Sequence, residues 1–270
     1  MYPTIHDYTP NYLHTLPAKD QTTYIQAFPD LFDHYFTFWS FDHISYSFNK
    51  AHVEDGRKVA WEGLNQAVNT LNNHGYDLTG IRVVLFVGNG TANGHAYIRD
   101  GKAYVWIPVE DYPDVFTARI FIVHEFFHAF HYLVNREFWF EDHMAFKDLL
   151  RQLVIEGIAT SGSLSLLELS EEDALWGNYL NQDEKSQWIQ DCRNQFGELS
   201  RYILDLLQKG RDDMDLIYPF EPDNIYRFRG GYYAGLQLVN QVMEKENLSI
   251  DDLMKKGYED WKGIVKSVFG

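Results

Sequence analysis

The sequence predicts an α+β protein in which a small mixed sheet lies early in the chain and helices make up most of the remainder. Three observations support this prediction: a β-branched run over residues 81–87, apolar residues at helical spacing in several later segments, and the absence of any internal repeat. The 270 residues suffice for one or two domains, and an apolar content of 45% suffices for a hydrophobic core. Disordered, collagen-like and disulfide-scaffold proteins are therefore excluded.

Residues 1–80 are expected to form a helical region packed on the core. The first fifty residues are rich in aromatic side chains and carry four prolines, a pattern that favours short helices. Apolar residues recur at helical spacing from Val59 to Leu71, and Gly75 follows as a stop signal, so an amphipathic helix is predicted there. The aromatic N-terminal region is also a candidate docking surface for a protein partner.

Residues 81–135 are expected to form the sheet and the helix that follows it. The run 81–87 reads as a buried strand, while 95–98 and 103–107, separated by Asp-Gly, read as a β-hairpin. The glycines between the first strand and the hairpin do not have the spacing of a nucleotide-binding loop, so phosphate binding is not expected. A helix should begin after Pro113 and continue to about residue 132.

Residues 136–270 are expected to form a helical subdomain. Helical spacing predicts helices over residues 146–161, 173–179, 185–208, 231–246 and 250–269, with a break at 218–223.

The charge and the cysteine content limit the binding partners and the cellular compartment that are expected for this protein. The chain has 39 acidic and 23 basic residues, and its net charge of −16 repels phosphate backbones and anionic lipids, so neither nucleic acid nor a membrane is an expected partner. No apolar run approaches the roughly 18 residues that span a bilayer, and no signal peptide is evident. The single cysteine, Cys192, cannot form an internal disulfide, so a reducing, cytoplasmic location is expected.

Residues 124–128 read His-Glu-Phe-Phe-His, an HExxH pattern on a predicted helix. Histidines four positions apart lie about 40° from each other on a helical wheel, so His124 and His128 can both reach one zinc ion. Glu125 lies beside them and can take a proton from a zinc-activated water. Five-residue matches of this kind also arise by chance, but this helix is apolar nearly all round, and a metal would satisfy its buried polar groups.

The predicted third ligand is Glu156, which follows His128 by 28 residues in an otherwise apolar helix. An antiparallel helix could return this carboxylate to the metal, although a partly exposed glutamate at a helix bend is the alternative. His131 is interpreted as a packing residue or a partner of the ligands, because three side chains of one helix cannot easily surround a tetrahedral ion. The acidic and histidine residues of 141–143 remain alternative ligands or outer partners.

The combination of HExxH, Glu156-Gly-x-Ala and the later Gly-Tyr-Tyr-Ala-Gly of residues 231–235 resembles the gluzincin class of zinc metallopeptidases. More narrowly, it is similar to the YjaZ-like family of predicted zinc-dependent proteases. The resemblance covers about residues 81–243. It implies a zincin-like fold, one Zn²⁺ bound by His124, His128 and Glu156, and Glu125 as the catalytic glutamate.

Two further features of a peptidase site are expected. Peptide hydrolysis develops negative charge on the carbonyl oxygen. Tyr232, or failing that Tyr233, is the predicted donor that stabilises it, and an arginine is a further alternative. The alternative is that residues 231–235 serve helix packing, with tyrosines in the core. An edge strand should bind substrate by backbone pairing, and either 95–98 or 103–107 is the candidate.

The predicted function is therefore zinc-dependent hydrolysis of peptide bonds in a peptide or protein substrate, with Glu125 as general base. Two alternatives stay open. The first is a zincin-like binding or regulatory module without catalysis, and the second is a metal hydrolase that acts on a non-peptide amide.

Overall fold

The structure is a computed structural model that describes residues 2–15, 48–88, 90, 92–139, 143–217 and 224–270. The chain divides into two compact units, Met1–Ala129 and Phe130–Gly270. The first unit contains the sheet and the HExxH motif, and the second is helical in its described residues. The α+β prediction is thus confirmed. The aromatic segment expected to dock a partner, and the predicted break at 218–223, lie largely or wholly outside the described residues.

Four strands form one mixed sheet in the order β1-β2-β4-β3. Strand β1 pairs parallel with β2, β2 pairs parallel with β4, and β3 pairs antiparallel with β4. The two inner strands are buried at nearly every position, as their continuous apolar sequences require. The strands are β1 (Thr4–Asp7), β2 (Ile81–Phe86), β3 (His95–Arg99) and β4 (Lys102–Pro108).

The predicted hairpin is present as β3 and β4. Its turn residues Asp100 and Gly101 have φ angles of 50° and 72°, the left-handed pair that a two-residue type I′ turn needs. Aspartate and glycine both tolerate this conformation, so the turn holds the two strands in register.

Strand β1 was not predicted, because the first fifty residues were expected to hold only short helices. Helix α1 (Thr9–Thr15) agrees with that expectation, but Thr4–Asp7 is a strand whose residues pair with 82–85 of β2. Four residues are too few to show a period, and the strand forms because β2 offers a parallel partner. The sheet therefore combines one strand from the start of the first unit with three strands from residues 81–108.

Helix α2 (Lys50–Asn73) contains the predicted amphipathic helix and begins nine residues before it. The side chain of Asn49 caps it by accepting a hydrogen bond of 2.9 Å from the backbone N–H of His52. The helix ends before Gly75, whose φ of +85° stops it as predicted. The first part of this helix is mostly charged and exposed. Apolar residues therefore recur at helical spacing only from residue 59 onward.

Helix α3 (Val115–Val134) carries the HExxH motif, and the boundary between the two units falls within it. Asp114 caps its first turn by accepting a hydrogen bond of 2.8 Å from the backbone N–H of Thr117. Helices α2 and α3 pack closely: a Cβ added to Gly63 would lie 2.6 Å from the Cβ of Ala118. This packing fixes the helix that carries the motif within the first unit.

The described helices of the second unit differ from the prediction at several boundaries, and two of these differences have a clear local cause. The helix expected to start at residue 146 starts at Leu149, because Asp148 caps it. The helix expected over 250–269 is two helices, and Gly257 begins the second one with its N–H bonded to Asp260. The helices are α4 (His143–Phe146), α5 (Leu149–Leu167), α6 (Glu171–Trp176), α7 (Gln182–Lys209), α8 (Gly230–Glu246), α9 (Ile250–Met254) and α10 (Tyr258–Phe269).

Helices α5 and α8 cross at a pair of glycines. A Cβ on Gly157 would lie 2.3 Å from the carbonyl oxygen of Gly235, and a Cβ on Gly235 would lie 2.4 Å from that of Leu153. Gly231, one turn earlier, faces Ile217 and the Leu216 carbonyl at similarly short distances. Gly235 therefore serves helix packing, as the packing alternative expected, whereas Gly231 packs against a short 3₁₀ turn and the residue that follows it.

Candidate metal centre

The HExxH motif lies in the middle of α3, where every residue from 120 to 132 is buried. His124, Glu125 and His128 are only 4%, 5% and 5% exposed. The helix is buried here because apolar residues lie on all of its sides. Two imidazoles and a carboxylate in such an interior are costly unless polar partners or a metal satisfy them.

The two histidine rings converge on one point. Their Nε2 atoms lie 3.0 Å apart, with the ring planes at 83° to each other. A tetrahedral zinc ion with Zn–N distances of about 2.0–2.1 Å holds two ligand nitrogens about 3.3 Å apart. The separation between His124 and His128 is within a few tenths of an ångström of that value, so the pair fits a shared cation.

Glu125 belongs to the same cluster. One of its carboxylate oxygens and one nitrogen of each histidine all lie within 4.8 Å of one another. Among the residues that the structure describes, this buried group could hold a metal ion. The structure thus brings together the three motif residues that the sequence predicts.

Gly94, which directly precedes β3, lies against the Glu125 side chain. A Cβ added to Gly94 would lie 2.6 Å from Cγ of Glu125 and 2.9 Å from both Cδ and Oε1. Only glycine leaves room for this carboxylate at that distance. The sequence gives no signal for the contact, because the two residues belong to segments that are distant along the chain.

The loop between β2 and β3 is fastened by two side chains that follow β4. Glu110 accepts hydrogen bonds of 3.0 and 3.1 Å from the backbone N–H groups of Gly88 and Gly90. Tyr112 donates its hydroxyl proton to the carbonyl oxygen of Asn93. Gly88, Gly90 and Asn93 are therefore held against the segment that follows β4.

Glu110 was not predicted as a functional residue. Its signal in the sequence is an acid placed directly after the apolar run 103–109. Burial raises the pKa of Glu110 from 4.5 to about 7, and the hydrogen bonds from backbone N–H groups counteract burial only in part.

The order of the strands distinguishes between the two candidate edge strands. Strand β4 lies between β2 and β3 and pairs on both sides, so it cannot add a further strand. Within the described residues, β3 pairs with β4 alone and stands at the edge of the sheet. Of the two candidates, only 95–98 keeps the position that backbone pairing with a substrate requires.

Glu156 lies in α5 of the second unit and is 4% exposed. Its neighbours on the helix are buried as well, so the carboxylate lies in the apolar helix that the sequence predicts rather than at an exposed bend. Its role as the third ligand stays a prediction.

The two predicted donor tyrosines have different surroundings in the second unit. Tyr232 is half-buried, and the guanidinium of Arg229 lies 4.0 Å from the centre of its ring. Tyr233 is buried with its ring edge-on to Trp188, and burial raises its pKa to about 12. Both hydroxyls as oxyanion donors remain predictions.

Of the alternative metal ligands, only the side chain of His131 lies within the described residues. His131 is fully buried in α3, with its ring centre 4.7 Å from that of Phe138, which agrees with a packing role. Residues 141 and 142 lie outside the described residues, as does the side chain of His143.

No helix among the described residues is both long and apolar enough to cross a membrane. Comparisons of the chain with protein-family models, curated proteins and solved structures found no match.

Proposed function

We propose that the protein is a zinc metallopeptidase of the gluzincin type. The observation that carries this proposal is the buried cluster of His124, Glu125 and His128 on one helix, with both imidazole Nε2 atoms turned toward each other. The four-stranded sheet supports it, because it is mixed and its antiparallel edge strand leads from the loop that lies beside Glu125. This arrangement is compatible with a zincin-like fold.

His124, His128 and Glu156 would hold the ion. Zinc bound there supplies Lewis acidity, which lowers the pKa of water and polarises a carbonyl group. Both histidines must be neutral to act as ligands. With a carboxylate as the third protein ligand, the ion would remain open to water or substrate.

Glu125 is the general base in this proposal. It accepts a proton from the attacking water and passes it to the leaving amine nitrogen. The wall formed by Gly94 keeps its carboxylate next to the histidines. The edge of β3 binds the substrate backbone, and Tyr232, or alternatively Tyr233, donates a hydrogen bond to the developing oxyanion.

The test compares purified wild-type protein with the Glu125→Gln variant. We expect about one zinc per chain in both proteins by mass spectrometry of the metal. Cleavage of a mixed peptide library should fall by at least about 100-fold in the variant, because the amide cannot take the proton. Glu62→Gln, which changes an exposed glutamate of α2, is the matched control and should cleave like wild type.

Zinc bound without any cleavage that depends on Glu125 would reject the peptidase. That outcome would favour a metal-binding module without catalysis. A protein that cleaves only non-peptide amides in a Glu125-dependent manner would keep the mechanism but change the substrate class.

A further inference from the structure

We propose that Gly94 is a positioning residue that sets the orientation of the Glu125 carboxylate. This inference rests on the proposed function, because it assigns a role to Gly94 through the general base of that site. Its origin is the close approach described above, in which the backbone of Gly94 forms one wall of the space that the Glu125 side chain occupies.

The contact is made with the end of a flexible side chain. A methyl group at position 94 would meet Cγ, Cδ and Oε1 of Glu125 at 2.6–2.9 Å, well inside the ordinary contact distance of carbon atoms. The φ angle of Gly94 is not positive, so alanine can adopt the same backbone conformation. The added methyl group would therefore act on Glu125 and would not strain the loop.

The backbone near Gly94 has little freedom to move away. Tyr112 holds the carbonyl of the preceding residue, Asn93, and the Glu110 carboxylate holds the N–H groups of two glycines earlier in the loop. The segment that carries both side chains is itself fixed on α2, because a Cβ on Gly56 would lie 2.2 Å from the Val109 carbonyl oxygen. The Glu125 carboxylate is thus the part that moves when position 94 gains a side chain.

A general base must lie within about 2.6–3.2 Å of the proton that it takes. Displacement by about 1 Å can lower the rate by about 100-fold without a change in substrate binding. For Gly94→Ala we therefore expect kcat to fall by about 10–100-fold, with KM within threefold of wild type. Zinc content should equal that of wild type, since the ligands are untouched.

The matched control is Gly80→Ala in the same unit. Gly80 is exposed, has no positive φ and has open space around its Cβ position, so alanine there should leave kcat, KM and zinc content unchanged. A Gly94→Ala enzyme with wild-type kcat, while Glu125→Gln is inactive, would overturn the inference and leave the proposed function intact.

A second measurement tests the contact without using activity. In the wild-type background, Gly94→Ala should lower the thermal midpoint by about 2–4 °C more than it does in a Glu125→Ala background. The truncated side chain of Glu125→Ala removes all three atoms that the methyl group would meet. Equal shifts in the two backgrounds would overturn the inference. A coupled shift in a protein that cleaves no peptide would support the contact and reject the proposed function.

Discussion

Glu110 is a buried acid whose carboxylate bridges two backbone N–H groups of one loop. Its folded pKa of about 7 exceeds its ordinary value of 4.5, because burial disfavours the ionised form. A raised acid pKa means that the folded state binds the proton more tightly than the unfolded state does. Its contribution to stability is therefore fully present below pH 4.5 and is lost as the pH rises through about 7.

We expect the free energy of unfolding of wild type to fall by about 3 kcal/mol between pH 4.5 and 8 through Glu110. The Glu110→Gln variant should lose this fall, because the amide does not titrate. Urea denaturation at several pH values measures the slope, and Glu62→Gln should keep the wild-type slope. An unchanged slope in Glu110→Gln would contradict the assignment.

Cys192 is fully buried in α7, and burial raises the pKa of its thiol. Because the thiolate is the reactive form, we expect no reaction with a thiol reagent at pH 8 in the native protein. One thiol per chain should react in concentrated urea. Rapid modification of the native protein would show that the helix packing around Cys192 opens readily.

For individual residues, the sequence predicts the motif well, because an i, i+4 pair on a helix has a fixed geometry. His124, Glu125 and His128 therefore cluster as expected. The contact of Gly94 with Glu125 was not predictable, since it depends on how a loop and a helix meet.

In the second unit, α5 and α8 cross with their backbones in close contact. Gly157→Ala would press a methyl group against a carbonyl oxygen, which cannot move without separating the helices. We expect a loss of about 3 kcal/mol in the free energy of unfolding by urea denaturation. Gly263→Ala in α10, where the Cβ position is open, should instead stabilise by up to about 1 kcal/mol. Equal effects of the two variants would contradict the tight crossing.

Long helices and the hairpin could be predicted because each carries its own periodic or turn signal. The β1 strand and the start of α5 could not, since the first depends on a distant partner and the second on the cap at Asp148. The division of residues 250–269 into two helices has a sequence signal in Gly257, which the apolar spacing on both sides concealed.

For the whole molecule, zinc bound at the proposed site should stabilise the folded protein. A ligand present at 100 times its dissociation constant stabilises the folded state by about 2.7 kcal/mol. We expect a strong chelator to lower the thermal midpoint of the zinc-loaded protein by about 5–10 °C. The double variant His124→Ala/His128→Ala should show no response to the chelator. An equal response of both proteins would place the metal elsewhere.

The fold class could be predicted from the order of strand and helix signals along the chain. The order of strands within the sheet could not, because it is decided by contacts between segments that no local pattern describes. The same limit applies to Glu156. Its burial in an apolar helix is a local property that agrees with the prediction, whereas a role as ligand depends on segments that are distant along the chain.

The parallel pairing of β1 with β2 also has a kinetic consequence. Ile98 pairs with Ala103 across a two-residue turn, whereas Thr4 pairs with Arg82 although most of the first unit lies between them in the sequence. Closing so large a loop costs entropy before any contact compensates for it. The hairpin should consequently assemble early during refolding, and the amide protons of residues 4–7 should be among the last in that sheet to gain protection from exchange.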